Sequence, residues 1–416
     1  MRFFVGGLRQ DFPAAVPAVA FFLVGATRLP KNAPVPRTIY FDYNATTPLD
    51  PAVREAMLPV LGEVWGNPSS VHRVGRTARA LLDEARDRTA TFLEAKPSEI
   101  IFTSGGTESN NLAIFGAARA LKSKGRHLIT SAVEHHAVLH CLDYLAQTEG
   151  FEVTRLPVDS AGRVAPEDLK KAIRRETILV SIMAANNEIG TIQPVAELGA
   201  VCRECGVVFH TDAVQWFGKE PFDRISQFQA DLVSLCAHKF HGPKGAGLLY
   251  VRSPLHPHPL LFGGAHENER RAGTENLAAI VGLVSALEKF VSPPVFPQPT
   301  LKKFQAQLAT AIAALPGCEV VSPSGHGLLN TVAFVVRGAD SIALLAGLDV
   351  EGICASSGSA CSAGSLEPSH VISAIGKAGL ANSLVRFSLG RDSTAAEVDL
   401  VCDALPEVIR RAQLGK

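Results

Sequence analysis

Ser234-Leu235-Cys236-Ala237-His238-Lys239-Phe240-His241-Gly242-Pro243-Lys244-Gly245 lies between two short apolar runs, residues 232–235 and 247–251. A lysine directly behind a buried-looking strand, ahead of a glycine–proline turn, is poorly placed for surface decoration. Desolvation lowers a lysine's pKa and suits its amine to Schiff-base chemistry. The competing reading is a side chain that snorkels its charge out to solvent along an apolar stem.

The neighbourhood of Lys239 is one strand in a series of seven. Apolar runs at 100–102, 127–131, 151–156, 177–183 and 207–210 precede it, with helix-like stretches such as 109–122 and 166–174 between them. Strands alternating with crossover helices predict a mostly parallel sheet covered on both faces. Polar residues gather just past several of these runs, at 103–111, 134–136, 186–188 and 212–215. Ligands bind at the carboxyl edge of such sheets, which predicts one shared crevice. Pro293, Pro294, Pro297 and Pro299 then mark a boundary. The expected organisation is a segment 37–52 packing with the small domain, a large α/β domain over 53–292 and a smaller α+β domain over 293–416.

Composition narrows the class. The 416 residues are 47% hydrophobic, with 40 basic residues against 40 acidic ones. A chain this apolar is not disordered, and without net charge it has no global field for nucleic acid or an anionic membrane. Eight cysteines in a chain of this length predict reduced thiols and a cytoplasmic enzyme. Residues 1–36 carry Arg2 and Arg9, an apolar stretch at 13–26 and a proline-rich linker. That stretch is too short to span a bilayer. It has features of a weak secretory signal, but an extension outside the fold is the expectation.

Two further motifs carry chemistry. Ile101-Phe102-Thr103-Ser104-Gly105-Gly106-Thr107-Glu108-Ser109-Asn110-Asn111 runs from strand through glycine turn to helix. Free N–H groups at a helix start and small residues that allow close approach suit an anion, and no lysine stands at Walker spacing. In His210-Thr211-Asp212-Ala213-Val214-Gln215, a carboxylate at a strand's end either caps a helix or holds a cationic nitrogen. Cys202 and Cys205 form a lone C-x-x-C, so no metal site is expected.

Taken together these motifs resemble the pyridoxal-phosphate enzymes of the aspartate-aminotransferase fold (fold type I), in the class V branch, and more narrowly the cysteine desulfurases. The resemblance runs from Tyr40-Phe41-Asp42-Tyr43-Asn44-Ala45-Thr46-Thr47-Pro48 to Arg386-Phe387-Ser388-Leu389-Gly390-Arg391. It includes Gly66-Asn67-Pro68-Ser69-Ser70, Asn186-Asn187-Glu188-Ile189-Gly190, Arg271-Ala272-Gly273-Thr274-Glu275-Asn276 and Ser356-Ser357-Gly358-Ser359-Ala360-Cys361.

The resemblance implies that Lys239 carries the cofactor and that Asp212 partners its pyridine nitrogen. His135 would stack on the ring and also relay protons as a catalytic residue, and Asn187 and Gln215 would contact the ring's hydroxyl side. Gly106, Thr107, His238 and Cys236 fall at the phosphate, where the family usually has serine or threonine in place of Cys236. Thr274 would reach the phosphate of a neighbouring subunit, which implies a homodimer. Arg386 would clamp the substrate carboxylate, beside Asn187. Cys361, in a Ser/Gly-rich run that favours a mobile loop, would attack the sulfur of L-cysteine, leaving alanine and a persulfide. The expected partners are L-cysteine and a sulfur acceptor such as an iron–sulfur scaffold, for cluster assembly or related thiolation. Leu366-Glu367-Pro368-Ser369 resembles the longer catalytic loop of the desulfurases. The alternatives are a selenocysteine lyase or another class V aminotransferase or lyase. Elsewhere, Cys354 reads as a packing residue, His136 as structural, and residues 266–271 as a solvated interface loop.

Overall fold

The computed structural model describes residues 38–358 and 367–414. Cys361 and the extension 1–36 lie outside the described residues.

Seven strands form the large sheet: β2 (Ile100–Thr103), β3 (His127–Ser131), β4 (Glu152–Leu156), β5 (Thr177–Ser181), β6 (Val208–Asp212), β7 (Leu232–Cys236) and β8 (Gly247–Val251). Ahead of them, β1 is Ile39–Tyr40. The strand order is β2-β8-β7-β6-β5-β3-β4, and β8 alone runs antiparallel to its two neighbours. The inner strands are buried along their whole length because helices cover both faces. Alternation then sorts their side chains. Ile129, Val180, Val233 and Leu235 enter one core with Phe209, Phe217 and Leu283, while Leu128, Leu179 and Leu232 enter the other with Ile114 and Leu142. The edge strand β4 stays half exposed.

Several predicted boundaries move, those of the 166–174 helix and the 151–156 and 207–210 strands among them. The helix expected at 109–122 begins at Gly106 and runs to Leu121. Gly105 adopts φ 155, ψ −177, a region essentially reserved for glycine. The glycine pair is therefore the helix start and not a loop ahead of it. Strand β5 stops at Ser181, short of residue 183.

Register sets the carboxyl edge. Asp212 lies opposite Ser234, Cys236 opposite Gly247, and Gly247 opposite Thr103. A Cβ on Gly247 would lie 2.6 Å from Gly105 Cα, so two backbones touch where the glycine turn meets Cys236.

A second sheet combines β9 (Cys318–Val320), β10 (Thr331–Val336) and β12 (Leu384–Ser388), all antiparallel in the order β12-β10-β9. Strand β1 pairs in parallel with β11 (Ile353–Cys354). Beyond β1 the chain runs along β12, with Asp42 bridged to Ser388. This delivers residues 42–46 from the far side to the edge of the large sheet.

Residues 266–271 correct an expectation. Glu267 is buried, receives the Arg86 guanidinium at 2.5 Å and accepts Phe102 N–H at 3.1 Å. Arg270 is also buried, donating to Ser98 O at 2.8 Å. Glu267 and Arg270 are clamped under β2, the first by the Arg86 charge and the second by backbone carbonyls, while Asn268 and Glu269 stay exposed.

Candidate active site

One cavity of about 170 Å³ opens at the carboxyl edge of the large sheet. Strand ends supply most of its wall: Asp212 from β6, Cys236 from β7, then His238 and Lys239 just beyond. The helix that starts at Gly106 presents Gly106, Thr107 and Asn110. His135, Asn187 and Gln215 come from the loops after β3, β5 and β6, and Arg386 from β12. Thr274 is not in this wall; it lines a separate surface cavity with Asn67, Arg79 and His266. Cys202 is buried and Cys205 exposed, both free thiols. His136 stacks on His140.

Asp212 is buried and accepts Asn110 Nδ2 at 2.6 Å and Val214 N–H at 2.9 Å. Burial pushes its carboxyl above the usual range, against these donors and the Lys239 charge. A cation in the cavity would offset that penalty. Asn110 Oδ1, by contrast, is buried without a partner among the described residues.

The Lys239 amine donates to Asn44 O at 2.7 Å and Ala45 O at 2.8 Å. These carbonyls belong to the arriving segment 42–46, so two sheets meet at the amine. His135 caps the helix behind it, its Nδ1 accepting Ala137 N–H at 3.0 Å. Burial, with the Lys239 charge adding to it, pushes the His135 imidazole down to about 4. His238 is held down to about 3 for the same reasons. Both rings are therefore neutral near pH 7, flat and uncharged beside the amine. Next to His135, Glu134 is fully buried and raised to about 8 by desolvation.

Arg386 is 1% exposed. Its Nη2 pairs with Asp42 at 2.7 Å, and its Nη1 donates to Asn187 O at 2.6 Å and Gly358 O at 2.7 Å. The Nε–H has no partner among the described residues, leaving a donor for an incoming carboxylate.

At the other end of the cavity, a Cβ on Gly106 would lie 2.7 Å from Val214 Cγ2 and 3.8 Å from Cys236 Sγ. The missing side chain leaves a cradle at the helix N-terminus, where N–H groups and the helix dipole favour an anion. Cys236 receives the Gly106 N–H, and burial pushes its thiol up to about 11.

Pyridoxal phosphate fits this donor set. Its aldehyde requires an amine, its ring nitrogen a carboxylate, and its phosphate a cluster of N–H groups. The class-V aminotransferase family model matches residues 39–401. Cysteine desulfurase IscS of Dictyoglomus turgidum is 47% identical over 377 residues, 90% of this chain and 95% of the relative. Cysteine desulfurase IscS of Methanosarcina thermophila is 46% identical, over 90% and 93% of the two chains. Among solved structures, a NifS-like protein superposes with a TM-score of 0.83 at 37% identity, over 90% of this chain and all of that one. The structure of SspA in complex with cysteine superposes with a TM-score of 0.75 at 36% identity, over 86% and 100%. The chain belongs to the class-V aminotransferase family and, within it, to the cysteine desulfurases.

Sequence reasoning left Asn44, Asn110 and Lys219 without a role. Asn44 and Asn110 stood inside motifs that carried the resemblance, and nothing local marked them. Lys219 follows a glycine in a turn, the ordinary setting of a solvated lysine, yet it is buried. Among the described residues, no helix is long and apolar enough to cross a membrane.

Proposed function

We propose that the protein converts L-cysteine to L-alanine and carries the sulfur away as a persulfide on Cys361, for delivery to an acceptor protein such as an iron–sulfur scaffold. The observation that carries this reading is Arg386. It lines the cavity of Lys239 and Asp212 while its guanidinium bonds Gly358 O, three residues before Cys361. The proposed substrate clamp thus also holds the described chain just ahead of Cys361. The relative solved with cysteine supports the choice of substrate.

Bound pyridoxal phosphate supplies the electron sink for negative charge at the substrate Cα. In this reading Lys239 takes the Cα proton and returns it, held by the carbonyls of Asn44 and Ala45. Asp212 would pair with the cofactor's ring nitrogen, and neutral His135 would pack against the ring. Asn187 and Gln215 would hold its hydroxyl side, and Gly106, Thr107, Cys236 and His238 its phosphate. Arg386 binds the substrate carboxylate through its unpartnered Nε–H. The Cys361 thiolate bonds to the substrate sulfur as the carbon–sulfur bond breaks, its electron pair staying with the substrate carbon, which takes up a proton to become the methyl group of alanine. Thr274, apart from this cavity, would serve the phosphate site of a second copy in a homodimer. We divide the chain into a large domain, 53–292, and a small one, 293–416, that receives segment 37–52, and we assign it to the cytoplasm.

The test is alanine release from L-cysteine by the wild type beside Cys361→Ala. Alanine from the first and only background from the second is the expected result. Alanine from neither, with cofactor bound, would sink the reading and favour selenocysteine or transamination chemistry. A smaller effect is expected at the phosphate. A serine hydroxyl donates better than a thiol, so Cys236→Ser should tighten cofactor retention by about 1 kcal/mol, roughly fivefold in Kd. Equilibrium dialysis of the cofactor measures it, and unchanged retention would remove Cys236 from the phosphate.

A further inference from the structure

Beyond Gln215 the chain makes consecutive turns, with Trp216 N–H donating to Ala213 O and Lys219 N–H to Trp216 O. Gly218 adopts φ 78, and a Cβ on it would lie 2.6 Å from Phe240 Cβ. Only glycine suits that backbone against that neighbour, and the result is a lysine turned inward. Lys219 is 3% exposed. A lysine so deeply buried ordinarily pairs with a carboxylate. Here its Nζ donates to Asn44 Oδ1 at 2.6 Å and to Gln215 Oε1, two neutral amide oxygens, and lies 5.5 Å from the Phe296 ring centre. Burial, with the charges of Lys239 and Arg386 behind it, pushes the amine well below its ordinary range. Two of its N–H bonds go to these two acceptors.

An amide side chain has two ends of nearly equal shape and opposite hydrogen-bonding sense. Gln215 lines the cavity, and its Nε2 donates to Asn44 O at 3.0 Å. The same carbonyl receives the Lys239 amine. We propose that Lys219 is a positioning residue: it holds the Gln215 carbonyl so that the Gln215 NH2 group faces the cofactor, and it steadies Asn44, on which the Lys239 amine rests. This rests on the reading of Gln215 as a contact of the cofactor's ring hydroxyl. A donor at that oxygen stabilises its anion, whereas a carbonyl in the same place repels it.

The visible absorption band of the bound cofactor, titrated with pH, reads the proton shared by that oxygen and the Lys239 nitrogen. Lys219→Met keeps an apolar stem beside Phe296 and removes both N–H bonds. Its titration midpoint should rise by about one pH unit. Gln215→Leu should raise it similarly, and the double variant should rise no further than either single one. An unmoved midpoint in Lys219→Met overturns the proposal, and so do shifts that add. An unmoved midpoint in Gln215→Leu removes Gln215 from the cofactor, and the underlying reading falls first. If Lys219→Met does not fold by circular dichroism, Lys219→Leu strips the same bonds from a smaller side chain and carries the same expectation.

Discussion

Lys239→Ala should lower alanine release from L-cysteine by at least about 10⁴-fold, the upper range for loss of a positioned proton carrier. The effect is large because no second amine can take its place. Lys219, the other lysine in the vicinity, spends its amine on Asn44 and Gln215. The variant also leaves the carbonyls of Asn44 and Ala45 without the donor that bridges them, so supplying a small primary amine in solution should restore part of the rate. Turnover is measured as alanine formed per cofactor bound. A variant retaining more than about one tenth of wild-type turnover would move the proton transfer to another group.

Arg386→Ala should act on both binding and stability. Loss of a charged contact to the substrate carboxylate is worth about 1.5–3 kcal/mol, which raises KM roughly 10- to 100-fold with a smaller change in kcat. The structure adds a second effect. Removing a fully buried guanidinium leaves Asp42 without its counter-charge, together with the carbonyls of Asn187 and Gly358. Breaking a buried pair costs about 3–5 kcal/mol, and the partial exposure of Asp42 places this one at the lower end. Steady-state kinetics and thermal unfolding separate the two. An unchanged KM would move the carboxylate clamp elsewhere, and an unchanged melting temperature would show Asp42 finding water instead.

Much of this site was legible because its chemistry sits in local patterns. All seven strands of the large sheet announced themselves as short apolar runs, and their polar termini predicted the edge where the cavity lies. The antiparallel direction of β8 was not legible, since a run of buried residues has no polarity in sequence. The helix start at Gly106 was misplaced because two glycines look like a break until one of them is seen in a conformation reserved for glycine. Glu267 and Arg270 looked solvated because charges usually are, and their burial depends on Arg86 and the carbonyls near β2, far away in the chain. Lys219 was illegible for the same reason: its burial needs Phe240, Phe296 and Asn44, contributed by three separate segments.

The joining of segment 42–46 to β12 has a consequence for biosynthesis. Asn44 N–H bonds Ser388 Oγ across a sequence separation of 344 residues. At translation rates of about 5–20 residues per second, those partners follow it by roughly 20–70 seconds. Until then Phe41 lacks Phe387, against which it ends buried, and Tyr43 has only Tyr40 and, later, His241 and Phe296 to pack on. The two carbonyls that hold the Lys239 amine come from the first part of the fold to be made and are among the last to find their place. A nascent chain of this protein therefore exposes an aromatic, strand-forming segment for most of its synthesis, a period in which chaperone binding at residues 39–43 would matter most.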